Sequence, residues 1–381
     1  RGIDFGYQAR PLMDEARRLS FADAAHAGSE GLDKSYKGEG VYVGLYDTGL
    51  DPNHVNFTDG NGNTRVKAVY KVTNSVVQRN ESADEIASFS TDSDTDTHGT
   101  HVLGIIAGSD NVNGEYGVKN GSTSTLTNGI LPYYGVAPKS DIIVGCGSFD
   151  TGSILAGVGA VIDRAKKDGK PVVVNLSLGH NRGSHDPNES QNAYLDRRAA
   201  DAIVVVAAGN EGGSDMSVEK NLRGTGAGNR LNTFIVPSAG TMAQAYYSAE
   251  FWAEDDRQFT ATLVLYNTAE KKIAASLPLT GPSGSKQWKP SDNSVFKNAY
   301  TSSSSIGVSW GIDDSSKRFN VQLNCNLQSS GAMPIEFGIN ISGPGDEAQR
   351  VTGYCDAYNG YSQSEVVFAS KGIAGYISGS D

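Results

Sequence analysis

The sequence predicts an α/β unit, a parallel sheet covered by helices, joined to an all-β sandwich of jelly-roll-like kind. Three observations carry this reading. Between about residues 40 and 210, short continuous apolar runs alternate with segments of helical spacing. From residue 233 onward the apolar residues recur with period two. The stretch 211–232 between these textures is rich in glycine, serine and asparagine and reads as a connector.

Each element follows from its own pattern. The runs at 41–46, 142–146, 172–176 and 203–207 are continuous and apolar. Runs of that kind suit strands buried on both faces of a parallel sheet. Residues 154–166 show helical spacing and lead into Lys166, Lys167, Asp168 and Gly169, a helix-stop signal. Residues 98–108 are rich in small residues and predict a buried helix packed closely on the sheet. Strands alternating with helices indicate βαβ units. Farther on, 259–265, 319–323 and 335–341 alternate apolar and polar residues, as half-buried antiparallel strands do. Turn signals at 281–284 and 343–345 separate them, and no helix-period segment is seen between about 240 and 370. The expected organisation is an N-terminal arm at 1–37, an α/β domain at 38–235, a β-sandwich at 236–371 and a polar tail at 372–381.

Composition narrows the functional classes. A chain of 381 residues is long enough for two domains with a sizeable core. Hydrophobic content of 38% and charged content of 20% fit an ordered globular protein. A net charge of −11 without a basic run argues against a nucleic-acid partner. No stretch of eighteen or more apolar residues is found, so no membrane span is expected. The first eighteen residues lack the apolar core of a signal peptide, so the protein is either cytoplasmic or read here after signal removal. Of the three cysteines, Cys146 reads as a small buried hydrophobe. Cys325 and Cys355 are either a pair or two free thiols, and none of the three has metal-type spacing.

Three boxes carry chemistry. Residues 43–49 read Val-Gly-Leu-Tyr-Asp-Thr-Gly and put Asp47 at the end of an apolar strand. Active sites of open parallel sheets form at that edge. Residues 96–102 read Asp-Thr-His-Gly-Thr-His-Val and put His98 at the start of a helix. Residues 206–212 read Val-Ala-Ala-Gly-Asn-Glu-Gly and put Asn210, a neutral amide donor, just beyond another apolar strand. In this order the boxes resemble the aspartate, histidine and oxyanion-asparagine boxes of the subtilisin family of serine proteases. Gly135-Val-Ala-Pro138 matches a further family element, and the resemblance covers about residues 38–212.

The resemblance implies a subtilisin-like parallel sheet flanked by helices and a secreted or cell-surface endopeptidase with a polypeptide substrate. It implies that Asp47 orients His98, that His98 is the base, and that Asn210 donates to the oxyanion. It further implies that Ser177, Leu178 and Gly179 pair with the substrate backbone, and that Ala208 and Gly209 line the cleft. The family's Gly-Thr-Ser-x-Ala box is absent from the 381 residues. The serine box is therefore expected beyond Asp381, with the β-sandwich inserted before it and the missing segment supplied by the same gene or a second chain. This chain alone is then expected to be inert.

Other readings stay open. Gly240-Thr-Met-Ala243 looks like the serine box with its serine deleted. Gly307-Val-Ser309-Trp-Gly311 matches a nucleophile elbow, but that motif needs a strand–helix turn and a later histidine, and the last histidine is His185. His98 and His101 lack the intervening glutamate and third ligand of a zinc site, so no metal is assigned, and His101 is expected as a core or supporting histidine. Asp92, Asp94 and Asp96, and the loop 59–63, are either structural Ca²⁺ sites or solvated acidic loops. No cofactor is required. The competing functional readings are a pseudoprotease and a β-sandwich binding module on a protease-like base. Trp252, Trp288 and Trp310 are expected in the core rather than as ligand platforms.

Overall fold

The computed structural model describes residues 13–89, 97–120, 123–237, 244–329, 335–345, 347–357 and 366–379. The chain divides into two compact units, one of residues 1–179 with 191–208, the other of residues 180–190 with 209–381.

The first unit holds α1 (Met13–Leu19), α2 (Ala22–Ala27), β1 (Tyr42–Asp47), β2 (Val66–Thr73), β3 (Val76–Asn80), α3 (Ala83–Ala87) and α4 (His98–Ala107). There follow β4 (Asn113–Asn120), β5 (Thr123–Ile130), β6 (Asp141–Gly147), α5 (Thr151–Lys167), β7 (Val172–Leu176), α6 (Ser190–Arg198) and β8 (Ile203–Val206). Among the described residues the sheet order is β3-β2-β6-β1-β7-β8. From β2 to β8 the pairings are parallel, and β3 turns back antiparallel on β2.

The continuous apolar runs have the expected cause. All six residues of β1 are buried, because both faces of the sheet are covered. On one face Val158, Val161, Ile162 and Ala165 of α5 pack with Tyr42, Tyr46, Val72 and Val174. On the other, Leu103 and Ala107 of α4 pack with Val43, Leu45, Val69 and Val144. Each valine, leucine or isoleucine among them contributes about 1.5–3 kcal/mol when fully buried. Asp150 caps α5 by accepting from the Ser153 N–H at 3.0 Å, and Gly169, at φ 65°, lies one residue past its C-cap.

One detail of this unit differs from expectation. β8 was expected to be buried on both faces, but Ile203, Val205 and Val206 are 63%, 48% and 54% exposed. The reason is position: β8 is the edge strand, and among the described residues no strand pairs with its outer side. Within the stretch after Ser109, β4 and β5 pair antiparallel.

The second unit holds β9 (Ser217–Leu222), β10 (Arg230–Pro237), β11 (Gln244–Ala253), β12 (Thr260–Asn267), β13 (Lys272–Pro278), β14 (Gly284–Trp288) and α7 (Ser294–Ala299). It continues with β15 (Ser305–Ile312), β16 (Phe319–Gln328), β17 (Ile335–Ser342), β18 (Gln349–Ala357) and β19 (Val366–Ala369). The described strands form two antiparallel sheets, β13-β12-β17-β10-β19 and β14-β15-β16-β11-β18-β9. The alternating residues Leu263, Leu265, Leu323, Phe337, Ile339 and Ile341 share one apolar core with Phe251 and Trp288. The fold class is thus an α/β unit with a parallel sheet flanked by helices, together with an antiparallel β-sandwich domain.

The stretch read as a connector carries β9 and the start of β10, each hydrogen-bonded into a sheet of the sandwich. A six-residue helix, α7, also occurs where none was expected. Asn293 nucleates it by accepting from the N–H groups of Val295 and Phe296 at 2.9 and 3.3 Å. Cys146, Cys325 and Cys355 are all buried, and Cys325 and Cys355 are not joined in a disulfide. Trp252 and Trp288 are buried, and Trp310 packs on the edge of the core.

Candidate active site

Asp47 is the last residue of β1, between β6 and β7, where it is 1% exposed. His98 is the first residue of α4, and 46% of its side chain is exposed. The two are 51 positions apart in sequence, yet His98 Nδ1 lies 2.6 Å from Asp47 Oδ1. A carboxylate can only accept, so Nδ1 carries the hydrogen, and in the neutral ring the lone pair is on Nε2.

Local structure holds the pair in place. The Thr48 N–H donates to Asp47 Oδ1 at 2.8 Å. Thr97 supplies no side-chain cap to α4. Instead the Gly99 N–H donates to Thr48 Oγ1 at 3.0 Å, and the Asp51 N–H donates to Thr100 Oγ1 at 2.9 Å. The turn after β1 and the first turn of α4 are therefore bonded in both directions. Only glycine fits at 99, since a Cβ there would lie 2.1 Å from the Gly49 carbonyl oxygen. Thr97, just before the base, sits in the left-handed region at φ 62°. That conformation costs a β-branched residue roughly 1–2 kcal/mol. Asp47 Oδ2 is buried without a hydrogen-bond partner among the described residues. An unmet buried acceptor costs roughly 1–3 kcal/mol.

The remaining predicted residues lie as follows. Ser177, Leu178 and Gly179 follow β7 outside any strand ladder, with Ser177 and Leu178 half-buried and Gly179 exposed. The Asn175 side-chain amide donates to Ser177 Oγ at 2.9 Å, and Leu178 packs against the α5-side core. Ala208 ends the first unit and is exposed. Gly209, at φ 95°, and Asn210 open the second main segment of the other unit, both exposed. The Asn210 N–H donates to Glu211 Oε2 at 2.8 Å.

His101 is not a core histidine but is exposed. The buried stripe of α4 is Gly99, Leu103 and Ala107, at spacing four, and His101 falls off that stripe. It lines a cleft of about 580 Å³ with His54, Phe57, Ile105 and Tyr133. Thr48 and Thr100, which brace the pair, stood inside the two boxes but carried no expected role. Their hydroxyl type at the turn and helix start was the available signal.

The other candidates resolve into structure. Ser309 lies inside β15, paired with β14 and β16, so its Gly-x-Ser-x-Gly motif is strand and not a strand–helix turn. Gly240-Thr-Met-Ala243 and Asp92, Asp94 and Asp96 lie outside the described residues. The Asp59 carboxylate is engaged by its own loop. It accepts from the N–H groups of Asn61 and Asn63 at 2.8 and 2.9 Å and from the Asn63 amide. The Asn63 side chain first, then these N–H groups, hold it below the usual carboxylate range. Among the described residues no group of three or more His, Cys, Asp or Glu side chains is gathered for a metal ion.

A carboxylate-oriented imidazole at the C-terminal edge of a parallel sheet is the arrangement of the Asp–His–nucleophile hydrolases. The chain belongs to the subtilase family, peptidase S8, whose family profile matches residues 38–335. It is similar to subtilisin-like protease SBT2.3 of Arabidopsis thaliana, 30% identical over 209 residues, 46% of this chain and 23% of that protein. It is also similar to subtilisin DY of Bacillus licheniformis, 30% identical over 189 residues, 48% of this chain and 52% of that protein. The solved structure of the Clostridium perfringens CspB protease shares the fold, with a TM-score of 0.62 at 20% identity, over 88% of this chain and 66% of that one. The matched region spans 23% and 24% of the first two curated relatives, both far longer proteins. Among the described residues no helix is long and apolar enough to cross a membrane.

Proposed function

We propose that the whole protein is a subtilisin-type serine endopeptidase, secreted or at the cell surface, and that its nucleophilic serine lies on polypeptide outside these 381 residues. The observation that carries this reading is the 2.6 Å Asp47–His98 hydrogen bond inside a doubly braced turn. His98 Nε2 takes the proton of the serine hydroxyl as its oxygen attacks the scissile carbonyl carbon. The imidazolium so formed is stabilised by Asp47 and then returns the proton to the leaving amine. The Asn210 amide donates to the oxyanion, a contribution of about 10²–10³ in kcat for donors of this kind. Ser177, Leu178 and Gly179 bind the peptide backbone, and Ala208 and Gly209 also contact the substrate.

The test expresses the 381-residue chain alone and together with the polypeptide encoded after it, and follows cleavage of an unfolded protein. Activity is expected only in the longer form. It should vanish on treatment with a serine-directed phosphonylating reagent and in the His98→Ala and Asp47→Ala variants. Cleavage by the 381-residue chain alone would refute the external serine. A longer form that folds but cleaves nothing would refute the peptidase reading in favour of a pseudoprotease.

A further inference from the structure

The helix α4 presents two stripes, and everything they face lies in the first unit. One stripe, Gly99, Leu103 and Ala107, is buried. The other runs from the N-cap Thr97 through Thr100, His101, Gly104 and Ile105, the spacing of a single helix face. This second stripe is one wall of the cleft of about 580 Å³. The outward stripe of a surface helix is ordinarily polar. Here it ends in a glycine and an isoleucine, and Ile105 is 36% exposed.

The rest of the lining comes from the turn after β1 and from the segment after β5. Phe57 is buried there, with the His54 ring centroid 5.7 Å from its own. Tyr133 is 43% exposed. Tyr134 is fixed by α1: Arg17 donates to its carbonyl at 3.0 Å and lies 3.8 Å from its ring centroid. Arg17 is itself 5% exposed, so this wall is in place before a ligand arrives. Gly104 leaves the cleft open. A glycine inside a helix destabilises it relative to alanine, and packing does not demand one at 104. A Cβ there would meet the Asn56 side-chain amide at 3.6 Å, an ordinary contact, whereas at 99 it would lie 2.1 Å from backbone.

The cleft begins beside the base. Thr97 precedes His98, and with the helical rise His101 and Ile105 lie about 4.5 and 10.5 Å farther along α4. An extended chain advances about 3.3 Å per residue, so a bond attacked at His98 has the cleft within reach of side chains about one to three residues away. The walls are largely rings, on which an aromatic side chain packs edge-on or offset and gains beyond the area it buries. The volume falls within the roughly 300–1,000 Å³ of sites that enclose small ligands. We propose that this cleft is a specificity site for an aromatic side chain of the polypeptide substrate, with Gly104, Ile105 and Tyr133 deciding what enters. This deepens the reading of the protein as a peptidase and rests on it.

The first measurement needs no activity. The 381-residue chain is titrated with N-acetyl-phenylalanine amide while the imidazole resonances of His54 and His101 are followed. Both should shift saturably, and N-acetyl-alanine amide should leave them in place. Gly104→Leu, which fills the cleft, and Tyr133→Ala, which removes part of its wall at an exposed position, should each weaken binding about tenfold or more. The second measurement uses the longer, serine-bearing protein and internally quenched alanine peptides. Phenylalanine is placed at one position at a time on either side of the cleaved bond, which mass spectrometry locates. One position should raise kcat/KM about tenfold or more, and both variants should abolish that preference. Absence of a saturable shift at His54 and His101 would overturn the proposal. So would cleavage with no phenylalanine preference that the variants remove, and in that case the peptidase reading stands. If the shifts appear while the folded, serine-bearing wild type cleaves none of the peptides, the peptidase reading fails, the substrate assignment falls with it, and an aromatic-binding cleft remains.

Discussion

Replacing Gly99 by alanine puts a methyl carbon 2.1 Å from the Gly49 carbonyl oxygen, with Gly49 N and C at 3.0 and 3.1 Å. All three are backbone atoms, so no side chain can swing away. The methyl and the oxygen must part by about 0.9 Å to reach even the 3.0 Å that real Cβ atoms essentially never breach. That shift separates the first turn of α4 from the turn after β1. It stretches the bonds from Gly99 N to Thr48 Oγ1, from Asp51 N to Thr100 Oγ1, and between His98 and Asp47. Overpacking costs about 1–3 kcal/mol, and each lost hydrogen bond about 0.5–1.5 kcal/mol. A total of roughly 2–4 kcal/mol lowers Tm by about 4–16 °C for a unit of this size. A displacement of about 1 Å at the base costs about 10² in rate. Thermal unfolding of the 381-residue chain measures the first effect. The low-field proton resonance of the His98 Nδ1–H measures the second directly, and kcat/KM of the serine-bearing protein measures its consequence. A Gly99→Ala variant with unchanged Tm and an unshifted resonance would refute the close packing on which the bracing argument depends.

Three further outcomes follow from buried groups. Arg65 is 6% exposed and donates to the carbonyls of Ser140, Ala107 and Asn56 and to Ser109 Oγ, with burial lowering its pKa to about 10. Arg65→Met orphans those acceptors at about 1–3 kcal/mol each, so urea unfolding should show a loss of at least about 3 kcal/mol. Burial pushes the Cys325 thiol up to about 12 and raises Cys355 as well, so neither should react with a thiol reagent at pH 8 until the chain is unfolded. His185 is held below its ordinary value chiefly by burial against Tyr354; His180 and Arg318 add to this, while Glu189 and Glu250 oppose it. The neutral ring is thus favoured where segment 180–190 docks on the sandwich of its own unit. Its contribution is full above the free value of 6.5 and is lost as pH falls through 6.5 toward the lower docked value. The protection of amides 180–190 against hydrogen exchange, after correction for the intrinsic pH dependence of exchange, should fall between pH 7.5 and 5.5, and His185→Phe, which keeps the stack, should remove that loss.

Much of the fold was legible because its signals are local. Continuous apolar runs at β1, β6 and β7 marked strands buried on both faces, and alternation at β12, β16 and β17 marked one-faced strands. β8 carried the same apolar signal and yet is exposed, since burial depends on which neighbour is present and not on the run itself. The segment 217–222 looked like a connector because Ser217, Glu219 and Asn221 are polar. It is strand β9 because β18 offers it a ladder. His101, expected from its box as a core or supporting histidine, is exposed by its angular position on α4.

Residue type and spacing alone determined that Asp47 ends a strand and that His98 begins a helix, and the boxes around them carried the family resemblance. Those properties are written in stretches of seven to eleven residues, where periodicity and side-chain chemistry act directly. Tertiary structure decided which distant groups meet. It brought Asp47 to His98, closed the gap at Gly99 against Gly49, and laid segment 180–190 on β11, β16 and β18. None of these contacts has a local signature. Each depends on how two elements, far apart in the chain, come to share one packed interface, and side-chain packing within about an ångström sets that outcome.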